Sequence, residues 1–163
     1  MRTSFAVAAL AVVAATTGCA ASAHVEASPT KQASSAPAAY EQQVQAVLRD
    51  WGSIAVQGMR PAIRDLSSPG GVPRAGIATE ADAWTAALKH DRQQLQGIAA
   101  PPSYEPTRQL LLRSLKGYLR GAAIVHRAAQ QSDPTQRETT LERAVRVLTA
   151  ADAVYNKAVP NSD

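Results

Sequence analysis

Apolar residues recur at alternating spacings of three and four in four stretches of this chain, and prolines lie between the stretches. Because an α-helix completes a turn about every 3.6 residues, this spacing places the apolar side chains of each stretch along one side of a helix. None of the stretches shows the strict alternation that is typical of a half-buried strand. The pattern therefore predicts an all-α protein whose amphipathic helices bury their apolar stripes against one another.

The four stretches predict helices over residues 39–66 and 79–98, a third helix from 103–107 to about 130, and a fourth over 134–158. The stripe residues expected to face the core are Tyr40, Val44, Val47, Trp51 and Ile54 in the first helix, Trp84, Leu88, Asp91, Leu95 and Ile98 in the second, Leu112, Leu115, Leu119, Ala122, His126 and Ala129 in the third, and Leu141, Ala144, Leu148, Ala151, Tyr155 and Ala158 in the fourth. Mostly short connections favour an antiparallel four-helix bundle over residues 39–159, followed by a tail over 160–163.

Local signals define the expected ends of these helices. Pro61 lacks a backbone donor and predicts a kink or break just before it. Residues 67–78 are rich in glycine and proline and are expected to form a loop, after which Thr79 caps the second helix. Asp133 is expected to cap the fourth helix, with Pro134 in its first turn.

The first 18 residues have the organisation of a bacterial export signal. Arg2 supplies a positive charge, and an apolar run of 11 residues covers 5–15. A membrane-spanning helix needs about 20 apolar residues, so this run is too short to span and is typical of the central part of a signal peptide. Residues 1–18 are therefore predicted to be a signal peptide.

The segment Thr16-Thr17-Gly18-Cys19 follows the apolar run and resembles the lipobox of bacterial lipoproteins, in which a small residue precedes an invariant cysteine. Thr16 departs from the family pattern, which prefers leucine at that position. The resemblance implies diacylation of Cys19 through a thioether, followed by cleavage before it. Two acyl chains are enough to hold a protein stably at a membrane, so the resemblance implies a lipid-anchored protein at the outer face of the cell membrane.

A second cleavage site gives an alternative outcome of export. Ala21-Ser22-Ala23 has the small-x-small pattern of an ordinary signal peptidase site, and cleavage there would release a secreted soluble helical factor beginning at His24. In the lipoprotein interpretation, residues 19–38 carry the lipidated cysteine and a flexible tether rich in Ala, Ser and Pro. The position of the one cysteine of the chain, directly after the apolar run, favours the lipoprotein.

The chain lacks the residue patterns of known catalytic and cofactor sites. Its three histidines do not form the H-x-x-x-H, H-E-x-x-H or E-x-x-H spacings of metal sites, and its cysteine lies in the leader region. The G-x-S-x-G and phosphate-loop motifs do not occur. The sequence therefore predicts a protein that is not an enzyme, with no catalytic residue, no metal and no cofactor.

Two polar residues occupy positions in the predicted apolar stripes. Asp91 lies in the stripe of the second helix and His126 in that of the third. Buried polar groups usually have structural hydrogen-bond partners, and this is the simplest interpretation of both residues. The alternative is a small-ligand or metal sensor with a pocket near Asp91 or His126.

The third helix carries five basic residues and no acidic residue between 107 and 130. Four of them, Arg113, Lys116, Arg120 and Arg127, fall within a wedge of about 60° on a helical projection. Such a face is either solvated or a contact for anionic headgroups or polymers. The chain has a formal net charge of +4, which does not by itself indicate nucleic acid, and no nucleic acid partner is expected outside the cell. The function predicted is a non-enzymatic binding or interaction module of the cell envelope, whose partner is an envelope protein or an anionic polymer.

Overall fold

The computed structural model describes residues 36–68 and 74–159, and every regular element in these ranges is helical. The elements are α1 (Ala36–Ser53), a π-helical turn (Ile54–Met59), α2 (Arg60–Ser67), α3 (Arg74–Gly97), a 3₁₀ turn (Pro102–Tyr104), α4 (Glu105–Gln130) and α5 (Pro134–Ala158). Since α1, the π turn and α2 follow one another without interruption, the fold is an all-α bundle of four helical rods, as the stripes predicted. The predicted leader, Cys19, most of the predicted tether and the tail lie outside the described residues, whereas residues 36–38, predicted to belong to the tether, form the start of α1.

The bundle alternates in direction from one rod to the next. Gly117 of α4 lies against Ala151 of α5, and Gly121 lies against Leu148, so residue numbers rise along one helix as they fall along the other. These two helices are therefore antiparallel, as predicted.

The first rod runs parallel to α4, as expected for the first and third rods of an up-down-up-down bundle. The ring of Tyr40 lies 5.1 Å from that of Tyr104, and the ring of Trp51 lies 5.4 Å from that of Tyr118. Numbers thus rise together along the two rods, and the start of α1 lies at the same end of the bundle as the start of α4.

A kink or break was predicted near Arg60; the helix does not break there and continues to Ser67. The irregularity is instead the π turn that ends directly before Arg60, in which each turn holds one residue more than in an α-helix. The extra residue shifts the buried positions by one. Ile54, which the spacing placed in the stripe, is only partly buried, whereas Ala55 and Met59 are buried.

The start of α3 differs from the prediction by five residues. Thr79 does not cap the helix but lies inside it, and its Oγ1 donates to the carbonyl of Ala75 at 3.1 Å. The helix begins at Arg74 because Ile77 is buried in the core and because the Arg74 side chain donates to the carbonyl of Gln131 at 3.0 Å. These contacts outweigh the low helix propensity of the glycine between them.

The predicted start of α5 is confirmed in detail. One carboxylate oxygen of Asp133, Oδ1, accepts hydrogen bonds from the backbone N–H of Thr135 at 2.8 Å and of Gln136 at 3.2 Å. Pro134 occupies the first turn, where its missing donor leaves no partner unsatisfied.

The core consists of two hydrophobic clusters along the bundle. The larger one combines α1 and the π turn with parts of α3, α4 and α5, and its largest fully buried side chains are Trp51, Met59, Leu88, Leu95, Leu111 and Leu115. The smaller one joins α2 to the start of α3, the end of α4 and the start of α5, through residues that include Leu66, Ile77, Val125, Ala128 and Leu141. Within the described ranges, no helix is both long and apolar enough to cross a membrane.

A polar network connects the first rod to α4 and α5. Asp152 accepts a hydrogen bond from the hydroxyl of Tyr118 and forms an ion pair with Arg60. Burial, followed by the contact with Asp152, raises the pKa of Tyr118, so that its hydroxyl stays protonated and donates. The network therefore joins the carboxylate of Asp152 on α5 to Arg60, the first residue of α2, directly after the π turn.

Candidate anion-binding groove

An open groove runs between the second half of α3 and the first half of α4. The antiparallel register brings the two segments together, and the Arg108 side chain reaches across to the carbonyl of Gln96 at 3.4 Å. The groove is a shallow depression of about 600 Å³ that is open to solvent, and it is lined by Arg92, Gln96, Arg108, Gln109, Arg113 and Lys116, together with Leu112. Among the described residues, four cationic side chains and no carboxylate line it, which is the composition of a site for anions.

Three of the four cations are available to a ligand. Arg92, Arg113 and Lys116 are exposed, and no carboxylate of a described residue lies within 4.0 Å of their charged groups. Charges held on neighbouring helices without counterions repel one another and attract anions from solution. These three cations therefore favour the binding of an anion in the groove.

The fourth cation, Arg108, is compensated within the protein. Its Nε and one terminal nitrogen donate to the two carboxylate oxygens of Glu105 at 2.9 and 3.0 Å. The hydrogen bonds from Arg108 and then from Gln109 hold the pKa of Glu105 below its usual range. Arg108 therefore shapes one end of the groove, whereas its charge is largely neutralised.

The four basic residues that the sequence grouped together do not have the same surroundings. Arg113 and Lys116 line the groove, while Arg120 and Arg127 are exposed further along α4 and lie outside it. Arg92 was missed because it belongs to another helix, and only the register between α3 and α4 shows that it faces Arg113. The spacing of basic residues within α4 cannot indicate which residues of α3 lie beside them.

Asp91 is buried, as its position in the stripe predicted, with 3% of its surface exposed. Its Oδ2 has no hydrogen-bond partner among the described residues. Burial, and then the negative charge of Asp50, raise the pKa of Asp91, although His90 has a smaller opposing effect. The structural partner expected for this oxygen is thus missing from the described part of the chain.

His126 is only partly buried, although its place in the stripe predicted that it would face the core. Its Nε2 lies 3.6 Å from Oδ1 of Asp82 and 3.4 Å from the side-chain nitrogen of Gln130. Asp82 precedes Asp91 by nine residues on α3, which separates them by about 13 Å along the helix axis. The structure does not bring Asp91 and His126 together, and neither lines the groove. A pocket at either residue alone stays a prediction.

Within residues 36–68 and 74–159, no group of three or more His, Cys, Asp and Glu side chains is placed to hold a metal ion. No family model, curated protein or solved structure matches the chain. The function is therefore inferred from the groove itself and from the leader sequence.

Proposed function

We propose that this protein is a non-enzymatic binding module of the cell envelope, which Cys19 anchors to the outer face of the membrane and which binds an anionic partner through the basic face of α4. The observation that carries the proposal is the set of exposed cations on this face, which have no described carboxylate within 4.0 Å. Solvated basic residues on a helix surface are common. Two of these residues, Arg113 and Lys116, line one groove together with Arg92 of α3, and this arrangement favours a ligand.

The attraction expected from this face is moderate and depends on salt. A basic residue near an anionic membrane surface contributes about 1 kcal/mol, and the contribution falls off within a Debye length of about 8 Å at physiological ionic strength. Four exposed cations on α4 therefore support an association that is strong when the ligand carries several charges and weak when it carries one.

The leader supports the location. The lipobox-like segment ends at Cys19, and 16 residues separate this cysteine from the start of α1 at Ala36. A chain of this length reaches at most about 55 Å when extended, so an anchored bundle would stay close to the membrane. The start of α1 lies at the same end of the bundle as the groove, because the ring of Tyr40 packs against Tyr104 while Arg108 binds the next residue, Glu105.

The contact surface is tested by reversing the charges on the basic face. In a Cys19→Ala background, which carries no acyl chains, the triple variant Arg113→Glu, Lys116→Glu, Arg120→Glu should lose sedimentation with isolated, washed cell envelopes, because three attractive charges become repulsive. Its unfolding temperature should stay close to that of the unaltered protein, since all three residues are exposed.

The matched control reverses three exposed cations on α5, through Arg143→Glu, Arg146→Glu and Lys157→Glu. It has the same net charge as the triple variant and should sediment like the unaltered protein. Equal losses in the two variants would show a general effect of net charge and would remove the basic face as the contact surface.

The anchor is tested separately by the intact mass of the protein from its native host. A membrane-bound species that begins at Cys19 and carries acyl chains is the expected result, and Cys19→Ala should abolish the acyl mass and release the protein. If the unaltered strain instead yields a soluble species that begins at His24, the anchor is contradicted and the protein is secreted.

A further inference from the structure

We propose that Asp50 of α1 and Asp91 of α3 form a pH-sensitive switch, which holds α1 against α3 while Asp91 is protonated and loosens α1 when Asp91 is ionised. The ligand of this switch is a proton. The switch is independent of the proposed function, because it does not involve the basic face of α4.

The two carboxylates lie at the same level of the bundle. A Cβ built on Gly58 would lie 2.9 Å from the side chain of Trp84, so the π turn lies directly against α3 at this point. Asp50 comes eight residues before Gly58, and Asp91 comes seven residues after Trp84. Because the first rod and α3 are antiparallel, both carboxylates lie about two helical turns from this contact, towards the same end of the bundle.

Ionisation of Asp91 is unfavourable while α1 packs against α3. Asp91 is buried, and its Oδ2 has no hydrogen-bond partner among the described residues. No nitrogen of a described Lys, Arg or His side chain lies within 4.0 Å of either carboxylate. A buried carboxylate without a counterion is more stable in its protonated form. Burial, and then the negative charge of Asp50, raise the pKa of Asp91 accordingly.

The other titratable groups at this level do not compensate an ionised Asp91. On α3, His90 is exposed, and its opposing effect on the pKa of Asp91 is smaller than the effects of burial and of Asp50. On α4, the register with α3 places Arg113 at this level, but Arg113 is exposed and lines the groove. On α5, Tyr155 lies at this level, and burial raises its pKa so that it stays uncharged.

The segment that the switch loosens is α1 and not the whole first rod. Beyond the π turn, the ion pair of Arg60 holds this rod to α5. Among the described residues, one side-chain hydrogen bond, from Tyr104 to Glu41, joins α1 to another element. Separation of α1 from α3 therefore breaks few polar contacts, and it admits water to Asp91, which stabilises the ionised carboxylate.

The test measures amide hydrogen exchange of the whole protein by nuclear magnetic resonance between pH 4 and 8, corrected for the pH dependence of exchange at unprotected amides. The equilibrium constant for opening of α1 should exceed those of α4 and α5 at every pH. It should rise by up to tenfold per pH unit from about 3.9, the pKa of an exposed aspartate, to the raised pKa of Asp91, and then level off.

Two results of this measurement would overturn the proposal. If α1 is protected as strongly as α4 and α5, Asp91 meets water only through global unfolding and α1 does not open by itself. If the opening constant of α1 does not change with pH, the protonation of Asp91 does not control it.

Two variants test the two carboxylates separately. Asp91→Asn cannot ionise, so the opening constant of α1 should not rise between pH 4 and 8. Asp50→Lys leaves Asp91 in place and puts a cation opposite it, and should lower the opening constant at pH 7 by about tenfold. Because Asp50 is exposed, this second variant should keep the fold of the unaltered protein.

The matched control is Glu80→Gln, which removes another carboxylate from α3 at an exposed position. It should leave the pH dependence of α1 opening as it is in the unaltered protein. A rise with pH that persists in Asp91→Asn would exclude Asp91 as the titrating group. Unchanged exchange of α1 in Asp50→Lys would exclude the pairing of the two carboxylates.

Discussion

Gly117 and Ala151 approach so closely across the α4–α5 interface that a Cβ built on Gly117 would lie 2.7 Å from the Cβ of Ala151. The close approach has a polar consequence one turn earlier, where the buried hydroxyl of Ser114 donates to the carbonyl of Ala151 at 2.7 Å. The lack of a side chain at Gly117 thus allows the two helices to lie this close. The methyl group of Ala151 is fixed to its backbone and could not move aside for a side chain at position 117.

We expect Gly117→Ala to destabilise the bundle by about 1 to 2 kcal/mol, even though alanine favours a helix by about 1 kcal/mol over glycine. The two helices must separate to admit the new methyl group. Gly52→Ala is the matched control, since no described atom outside its own stretch of helix lies within 4 Å of the added Cβ, and it should stabilise by about 0.5 to 1 kcal/mol. Urea unfolding of the two variants measures both effects, and equal stabilisation would contradict the close contact.

Asp91→Asn should raise stability at neutral pH by about 1 kcal/mol, because it replaces a buried carboxylate whose Oδ2 has no described partner with a neutral group of the same shape. Burial raises the pKa of Asp91 in the folded state, so the charged form is disfavoured there. The stability of the unaltered protein therefore falls as pH rises from the unfolded pKa, near about 3.9, through the higher folded pKa.

The stability advantage of Asp91→Asn should consequently disappear as the pH is lowered through the same window. Asp50→Asn removes the neighbouring negative charge, so it should also raise stability at neutral pH, by less than Asp91→Asn does. Thermal unfolding between pH 4 and 8 tests this, and an advantage that is constant with pH would mean that Asp91 does not titrate differently in the folded chain.

Tyr118→Phe should destabilise the fold by about 1 to 2 kcal/mol, since the buried hydroxyl donates to the Asp152 carboxylate. The effect should shrink in an Asp152→Asn background, because the two residues form one interaction. Tyr155→Phe is the control, as the hydroxyl of Tyr155 makes no hydrogen bond to a described residue. Chemical unfolding of the four combinations forms a double-mutant cycle, and strict additivity would show that the hydrogen bond contributes nothing.

Asp133→Ala should lower stability by about 1 kcal/mol through loss of the two N-terminal hydrogen bonds of α5. Asp133→Ser keeps an acceptor at the cap and should retain most of that stability. Amide hydrogen exchange at Thr135 and Gln136 localises the effect, and unchanged exchange at both residues would show that the cap does not hold this end of the helix.

Most of the fold follows from local chemistry that the sequence displays. The cap at Asp133 and the buried stripe of α5 were predicted correctly because both depend on residues within a few positions of one another. The start of α3 was placed at Thr79 and not at Arg74 because the burial of Ile77 depends on residues far away in the chain. Local propensity at Gly76 therefore pointed to a loop where tertiary packing forms a helix.

The candidate site was predictable only in part, for a related reason. Periodicity within α4 identified the exposed cations Arg113 and Lys116, since their relative directions follow from helix geometry alone. Arg92 required the register between two helices, which the side-chain packing of the whole interface determines. The ion pair of Arg108 with Glu105 was missed because the acid lies just before the segment in which acidic residues were sought.

The π turn at Ile54–Met59 has the form of a helix that has accepted one extra residue. The extra residue moves the buried phase from Ile54 to Ala55, so that Trp51 before the turn and Leu66 beyond it both face the core. In a regular helix, one inserted residue would rotate every later side chain by about 100° around the helix axis. In this protein the π turn absorbs the extra residue, so the later side chains keep their directions. We therefore expect insertions and deletions of single codons in the evolution of this bundle to be concentrated at this turn.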